Sequence, residues 1–146
     1  MKYLLAALLA MALFGVNIAL AQNAPTIITP DQVKWTAGTG AQAGTQVAII
    51  TGDPKKPGFF ITRTKIPDGF KIQPHAHSAA EHLTVLSGTL MVGVGDKYDA
   101  SKLQAMPAGS YRYMPKGVNH FGMAKGVTII EISGVGPYET TQVKPK

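Results

Sequence analysis

Residues 69–88 read GFKIQPHAHSAAEHLTVLSG, which places His75 and His77 two positions apart, followed by Glu81. Side chains on a β-strand alternate between its two faces, so a His-x-His pair presents both imidazoles on one face. A further histidine, His120, ends the stretch PKGVNH at residues 115–120. Three imidazoles and one carboxylate form an N3O donor set that suits a divalent transition metal. We therefore predict a metal site made of His75, His77, Glu81 and His120.

The composition favours a small all-β protein with one domain. The chain has 146 residues, of which 45% are hydrophobic and only 15% charged, with 16 Gly and 10 Pro. Short β-rich runs alternate with turn residues at a spacing of roughly 8–12 residues, which is typical of a sandwich or a barrel. The predicted strands cover residues 45–51, 59–65, 70–77, 81–86, 89–94, 110–114 and 127–133.

The chain divides into four predicted segments. Residues 1–21 have one basic residue, an apolar run and the ending Ala19-Leu20-Ala21, which is the layout of a secretory signal peptide. An uncleaved membrane anchor is the alternative, because the apolar run approaches spanning length. Residues 22–44 are predicted to be an extended lead-in, residues 45–137 the barrel, and residues 138–146 a polar tail. We expect a periplasmic or secreted protein with no stable membrane association after cleavage.

Charge and cysteine content exclude other classes of protein. The net charge is +6, but the lysines are scattered, and nucleic-acid binding would favour a clustered basic patch with interleaved aromatic residues. A solvated basic surface explains the charge, although a basic cleft for an anionic substrate stays open. The chain contains no cysteine, so no disulfide framework holds the fold together.

The two histidine stretches resemble the paired motifs of the cupin superfamily. The first motif, G-x5-H-x-H-x3,4-E-x6-G, fits residues 69–88 at every fixed position. The second, G-x5-P-x-G-x2-H-x3-N, fits at Gly109, Pro115, Gly117 and His120, but Ala124 stands where the motif has Asn. The resemblance covers roughly residues 40–137.

The resemblance implies a double-stranded β-helix, or jelly-roll, barrel that binds one metal inside. The metal is Fe, Mn, Ni or Zn, and the donor set does not distinguish them. Many cupins pair their edge strands in homodimers, so we also expect a homodimer. The missing Asn is not a metal ligand in the motif, and its loss bears only on substrate contacts near Ala124.

Strand alternation suggests which side chains surround the metal. Leu83 and Val85 share parity with Glu81 and are predicted to face the interior, whereas His82 should face the opposite side. Glu81 and Tyr113 are candidate catalytic groups, as a proton acceptor and a general acid respectively. The candidate substrate-binding residues are Arg63, Met91, Tyr111 and Phe121.

Three functions fit these features. The favoured one is an exported metal-dependent enzyme that catalyses dioxygenation of a small chelating substrate, since the N3O set leaves two octahedral positions open. The second is a non-oxidative isomerase, lyase or decarboxylase that uses the metal as a Lewis acid. The third is a barrel that binds a metal or small ligand without catalysis.

Overall fold

The computed structural model describes residues 25–144 as an antiparallel β-structure with three short 3₁₀ turns. The predicted signal peptide lies outside the described residues. Within residues 25–144, no helix has the length and hydrophobicity needed to cross a lipid bilayer. The strands are β1 (Thr36–Ala37), β2 (Gln46–Thr51), β3 (Gly58–Ile66), β4 (Lys71–His77), β5 (Glu81–Val94), β6 (Gln104–Pro107), β7 (Tyr111–Met114), β8 (His120–Gly136) and β9 (Thr140–Gln142), and the 3₁₀ turns are Pro30–Gln32, Gly40–Gln42 and Ala100–Lys102.

Two long strands, β5 and β8, organise the fold because they pair with each other along most of their length. Residues 82–87 of β5 pair with residues 129–133 of β8, and residues 89–94 pair with residues 120–125. In the first of these two regions, β5 also pairs with β7, and β8 also pairs with β3, which is followed in the sheet by β2 and β1. In the second region, β5 also pairs with β6, and β8 also pairs with β4, which is followed in the sheet by β9. The sheet thereby curls around one interior, as the predicted jelly-roll barrel requires.

The bend in β5 depends on Gly88. Its φ of 74° lies in the left-handed region that favours glycine, and the pairing with β8 shifts register on both sides of it. A Cβ atom at this position would lie 2.5 Å from the carbonyl oxygen of Val127, so even alanine has no room. The sequence predicts two strands here, and the structure joins them into one strand that bends at the predicted turn.

Aliphatic side chains from both halves of the sheet form the core. Leu83 and Val85 are 2% and 1% exposed, which confirms the predicted inward parity of this segment. They pack with Ile66, Leu90 and Ile130 in one cluster. The prediction of an all-β fold is confirmed.

The segments on either side of the predicted barrel also contribute to it. In the predicted lead-in, β1 pairs with β2. In the predicted tail, β9 pairs with β4, where Thr140 lies opposite His77 and Gln142 opposite His75. The second segment therefore reaches the histidine region, which its polar sequence does not indicate.

Candidate metal centre

The three predicted histidine ligands converge at the end of the β4–β8 pairing. His75 and His120 are direct cross-strand partners, and their ring centroids lie 4.3 Å apart. His77 is two residues further along β4 on the same face, 4.9 Å from His75 and 5.1 Å from His120. One ring nitrogen from each of the three residues lies within 4.8 Å of the other two, and all three residues are buried.

Each imidazole is oriented by a hydrogen bond at its Nδ1 atom. Nδ1 of His75 lies 2.7 Å from the carbonyl oxygen of Gln73, and Nδ1 of His120 lies 2.9 Å from that of Val118. A carbonyl oxygen can only accept, so both nitrogens donate and the Nε2 atoms keep their lone pairs. Nδ1 of His77 pairs with the hydroxyl of Thr140 at 3.0 Å. Such outer contacts fix the tautomer and ring angle of histidines that bind metals.

The Nε2 atoms fit a metal ion because they are buried and available. Those of His77 and His120 make no hydrogen bond to any residue in the described chain. Buried polar atoms are normally satisfied, so two ring nitrogens without a hydrogen bond beside a third imidazole fit the binding of a metal ion. Burial lowers the pKa of His75 and lowers the pKa of His120 to about 4, so both are neutral at pH 7 and ready to bind.

Glu81, the predicted fourth ligand, makes an ion pair with Arg112. Its Oε1 atom accepts a hydrogen bond from Nη2 of Arg112, and the two side chains are only 3% and 13% exposed. Its Oε2 atom lies 3.0 Å from Nε2 of His77, but the two atoms are not aligned for a hydrogen bond. Burial would raise the pKa of Glu81, but nearby His77 and the charge of Arg112 outweigh it and hold the pKa well below its usual range.

Tyr138 closes the site from the segment that follows β8. Its hydroxyl donates to Oε2 of Glu81 at 2.8 Å, and its ring stacks on the imidazole of His77 with centroids 4.5 Å apart. Burial, and then the adjacent charge of Glu81, raise the pKa of Tyr138, which keeps the hydroxyl protonated as a donor.

The histidines open onto a cavity of about 450 Å³ inside the barrel. The size falls in the usual range for pockets that bind small molecules. Besides the histidines, Glu81 and Arg112, the wall has neutral polar side chains and an aliphatic or aromatic part. The polar ones are Thr39, Gln42, Thr45, Thr64, Gln73, Thr140 and Gln142. The aliphatic and aromatic part is formed by Ile66, Phe70, Ile72, Leu83, Leu90, Val92, Phe121, Ile130 and Ile132. The single cationic side chain among the described lining residues, Arg112, is already neutralised by Glu81. The cavity thus suits an uncharged ligand with an apolar body.

Only Phe121 of the predicted substrate-binding residues lines this cavity, and it is 1% exposed. Met91 lies between Leu90 and Val92, which face the cavity, so alternation turns its side chain to the other face of β5.

The structure places Tyr111, Tyr113 and Arg63 outside the cavity, against the sequence prediction. Tyr111 and Tyr113 are 59% and 53% exposed, and Tyr113 pairs across the strands with outward-facing His82. Arg63 pairs with Glu131 through a contact of 2.8 Å. The prediction fails because alternation along a strand does not determine which set of side chains faces inward. On β3 the inward residues are Phe60, Thr64 and Ile66, whose parity is opposite to that of Arg63.

Arg112 and Tyr138 are the site residues that sequence analysis missed. Arg112 faces inward because it is the cross-strand partner of Leu83, whereas its neighbours Tyr111 and Tyr113 face out. A signal was available, since an arginine between two aromatic residues in a strand must face away from both. Tyr138 carries no such signal, because it follows the last long strand and its position depends on the return of the chain to β4.

The comparisons with known proteins agree with this description of the fold. A protein from Methylibium petroleiphilum described as a candidate acetylacetone dioxygenase is 21% identical, with 84% of this chain and 83% of that chain covered and a TM-score of 0.64. The polyketide cyclase RemF from Streptomyces resistomycificus is 14% identical, with 84% and 88% covered and a TM-score of 0.66. An RmlC-like cupin from Shewanella frigidimarina is 16% identical, with 75% and 89% covered and a TM-score of 0.57.

These similarities concern the fold, because identities this low do not carry an activity from one protein to another. No curated protein matches the sequence. Residues 26–145 match the family described as a domain of unknown function, DUF4437, over nearly all of the described chain. The chain therefore belongs to the DUF4437 family and has a cupin fold.

Proposed function

We propose that this protein is an exported metal-dependent enzyme that catalyses dioxygenation of a small, uncharged substrate able to chelate a metal. One observation carries the proposal: three buried imidazoles with oriented rings converge on the wall of a mostly apolar cavity. A ligand that enters this cavity meets the Nε2 side of the histidines at one point and hydrophobic side chains elsewhere.

His75, His77 and His120 would hold the metal through their Nε2 atoms. A divalent metal at this position supplies Lewis acidity and, where it is redox-active, a path for electron transfer from an organic chelate to dioxygen. Imidazole ligands carry no negative charge, so these three residues would leave the charge of a bound ion available to an enolate or another anionic chelate.

The cavity wall would bind the apolar part of the substrate and exclude water. Leu83, Leu90 and Phe121 are each no more than 2% exposed, so they form a fixed surface and not a mobile one. Glu81 is held ionised next to His77, where its carboxylate can accept a hydrogen bond from a substrate group and favour positive charge on the metal. Excluding water strengthens each of these electrostatic contacts.

A non-oxidative reaction is the second candidate, and the ionised carboxylate of Glu81 favours it. A fixed carboxylate beside a Lewis acid can hydrogen-bond a substrate during isomerisation, cyclisation or elimination, and these reactions need no oxidant. Three proteins with similar folds are named as a polyketide cyclase, KdgF and dimethylsulfoniopropionate (DMSP) lyases, so cupin folds of this shape are used beyond oxygenation.

Metal analysis followed by oxygen-consumption assays tests the proposal. The purified chain is loaded with Fe, Mn, Ni or Zn and offered β-diketones, enols and catechols in air and under anaerobic conditions. Oxygen uptake equal to substrate loss supports dioxygenation, and equal turnover without oxygen supports the second candidate. Stoichiometric metal without turnover of any substrate would leave the third function, a ligand-binding barrel.

Export and self-association are parts of the proposal that rest on the sequence. The signal-peptide layout of residues 1–21 supports export, and amino-terminal sequencing of periplasmic protein should find Gln22 first. Sedimentation of the mature chain should find two copies if the edge strands pair as in other cupins.

A further inference from the structure

Both oxygens of Glu81 are occupied by protein donors. The guanidinium of Arg112 donates to Oε1, and the hydroxyl of Tyr138 donates to Oε2 at 2.8 Å. Glu81 and Arg112 are nearly enclosed, so each is the other's main counter-charge. A buried carboxylate gives up such a pair only at a large cost, because the abandoned guanidinium would remain buried and uncompensated.

The two donors are themselves fixed by the fold. Arg112 lies on β7 opposite Leu83, diagonally next to Glu81 on β5, so strand register sets its distance from the carboxylate. The Tyr138 ring is held between the His77 imidazole and the ring of Phe60, at centroid distances of 4.5 and 5.2 Å. Its backbone N–H also donates to the carbonyl oxygen of Pro54 at 2.7 Å. Neither donor can follow Glu81 if the carboxylate moves.

The position of Glu81 does not suit coordination together with all three histidines. Two ligands of one ion lie no more than about 4.2 Å apart, which is twice a usual metal–nitrogen distance. One ring nitrogen from each histidine lies within 4.8 Å of the other two, whereas no oxygen of Glu81 lies that close to all three nitrogens. Its Oε2 atom approaches only Nε2 of His77 closely.

We infer that Arg112 and Tyr138 are positioning residues that hold Glu81 out of metal coordination, so the metal centre has three histidine ligands and an adjacent, non-coordinating carboxylate. The inference rests on the proposed metal-dependent function and deepens it. A three-histidine centre keeps one more open position than the N3O set. It also leaves Glu81 as a fixed negative charge beside the metal, where each oxygen keeps a second lone pair that can accept a hydrogen bond.

Co²⁺ bound to the full chain reports the ligand set through its visible absorption spectrum. In Glu81→Gln we expect cobalt at close to one ion per chain and a spectrum that matches the unchanged protein. Glutamine keeps the shape of the side chain and its contact with Tyr138 while it removes the charge. His75→Ala, which deletes a ligand, should lose most of the cobalt and serves as the reference for a true ligand loss.

Releasing the carboxylate is the complementary experiment. Arg112→Met frees Oε1, so Glu81 should move onto the ion and change the cobalt spectrum, whereas Arg112→Lys should keep the original spectrum. The double variant Arg112→Met/Glu81→Gln should restore it, because a spectral change caused by a newly bound carboxylate disappears when the carboxylate is removed. If Arg112→Met does not fold, Glu81→Gln alone decides.

Two results overturn the inference in distinguishable ways. If Glu81→Gln loses cobalt tenfold or more in affinity, or shifts the spectrum, Glu81 is a ligand and only the inference fails. If the unchanged protein binds no cobalt, iron, manganese, nickel or zinc, the proposed function fails and the inference fails with it.

Discussion

Tyr138 stacks on His77 with a ring-centroid distance of 4.5 Å and an interplanar angle of 23°. The contact joins the segment after β8 to the metal centre, and two residues later Thr140 pairs with Nδ1 of the same imidazole. The C-terminal segment thus holds one face and one edge of His77. Within residues 25–144, Nδ1 of His77 pairs with that threonine hydroxyl and not with a backbone carbonyl of the kind that orients His75 and His120.

Replacing Thr140 should weaken metal binding without removing a ligand. Thr140→Val keeps the shape of the side chain but deletes the oxygen that pairs with Nδ1 of His77, so we expect metal affinity to fall about 10–100-fold. Competition with a chelator of known affinity measures the change. Thr141→Val is the matched control, since alternation directs Thr141 to the face of the strand opposite Thr140, and equal affinities in both variants would contradict the prediction.

Replacing any of the three converging histidines should lower metal content, whereas replacing His82 should not. His75→Ala, His77→Ala and His120→Ala each remove a converging nitrogen, and we expect metal content to fall far below one ion per chain. His82→Ala is the control, because His82 faces outward and pairs with the hydroxyl of Tyr111 at 2.7 Å. Elemental analysis after gel filtration gives the stoichiometry. Full metal content in any of the first three variants would show that the replaced histidine is not a metal ligand.

The convergence of the three histidines could be predicted from two kinds of information. Alternation along one strand places His75 and His77 on one face, whereas the resemblance to the second cupin motif identified His120 as their long-range partner. The inward direction of Leu83 and Val85 follows from the same alternation. Alternation thus predicts most inward-facing residues of a strand once the direction of one of its side chains is known.

The remaining site residues depend on contacts that local patterns do not contain. Arg63 and Tyr113 were placed in the cavity by alternation with an assumed phase, and the register of β3 and β7 reverses that phase. Tyr138 lies 57 residues from Glu81 along the chain, so only the three-dimensional return of the backbone brings the two together. Long-range pairing is the information that a single sequence does not supply.

Acid should destabilise the metal-free protein between about pH 6.5 and pH 4. Burial lowers the pKa of His120 to about 4 in the folded state, so the unfolded chain binds more protons in this window and stability falls as the pH falls. His120 alone contributes at most about 3 kcal/mol across the window. Urea unfolding with a chelator at pH 7, 6 and 5 measures the slope.

The control for this pH dependence is His120→Phe, which removes the titrating group from the same buried position. Its unfolding free energy should fall less steeply between pH 7 and pH 5. The low pKa of Glu81 adds acid sensitivity only below the ordinary carboxyl range, so the window above pH 5 isolates the histidines. An equal slope in both proteins would show that His120 does not titrate as its burial requires.

Filling the cavity should separate substrate binding from metal binding. Leu90 is 2% exposed and lines the cavity, so Leu90→Trp directs an indole into the space that an apolar substrate would occupy. We expect an unchanged metal content, loss of turnover or of ligand binding, and a stability cost of about 1–3 kcal/mol from overpacking. Leu86→Trp is the matched control, because Leu86 lies on the same strand but is 40% exposed. Turnover that survives in Leu90→Trp and fails in Leu86→Trp would place the substrate outside the barrel, and the apolar cavity would then have a structural role alone.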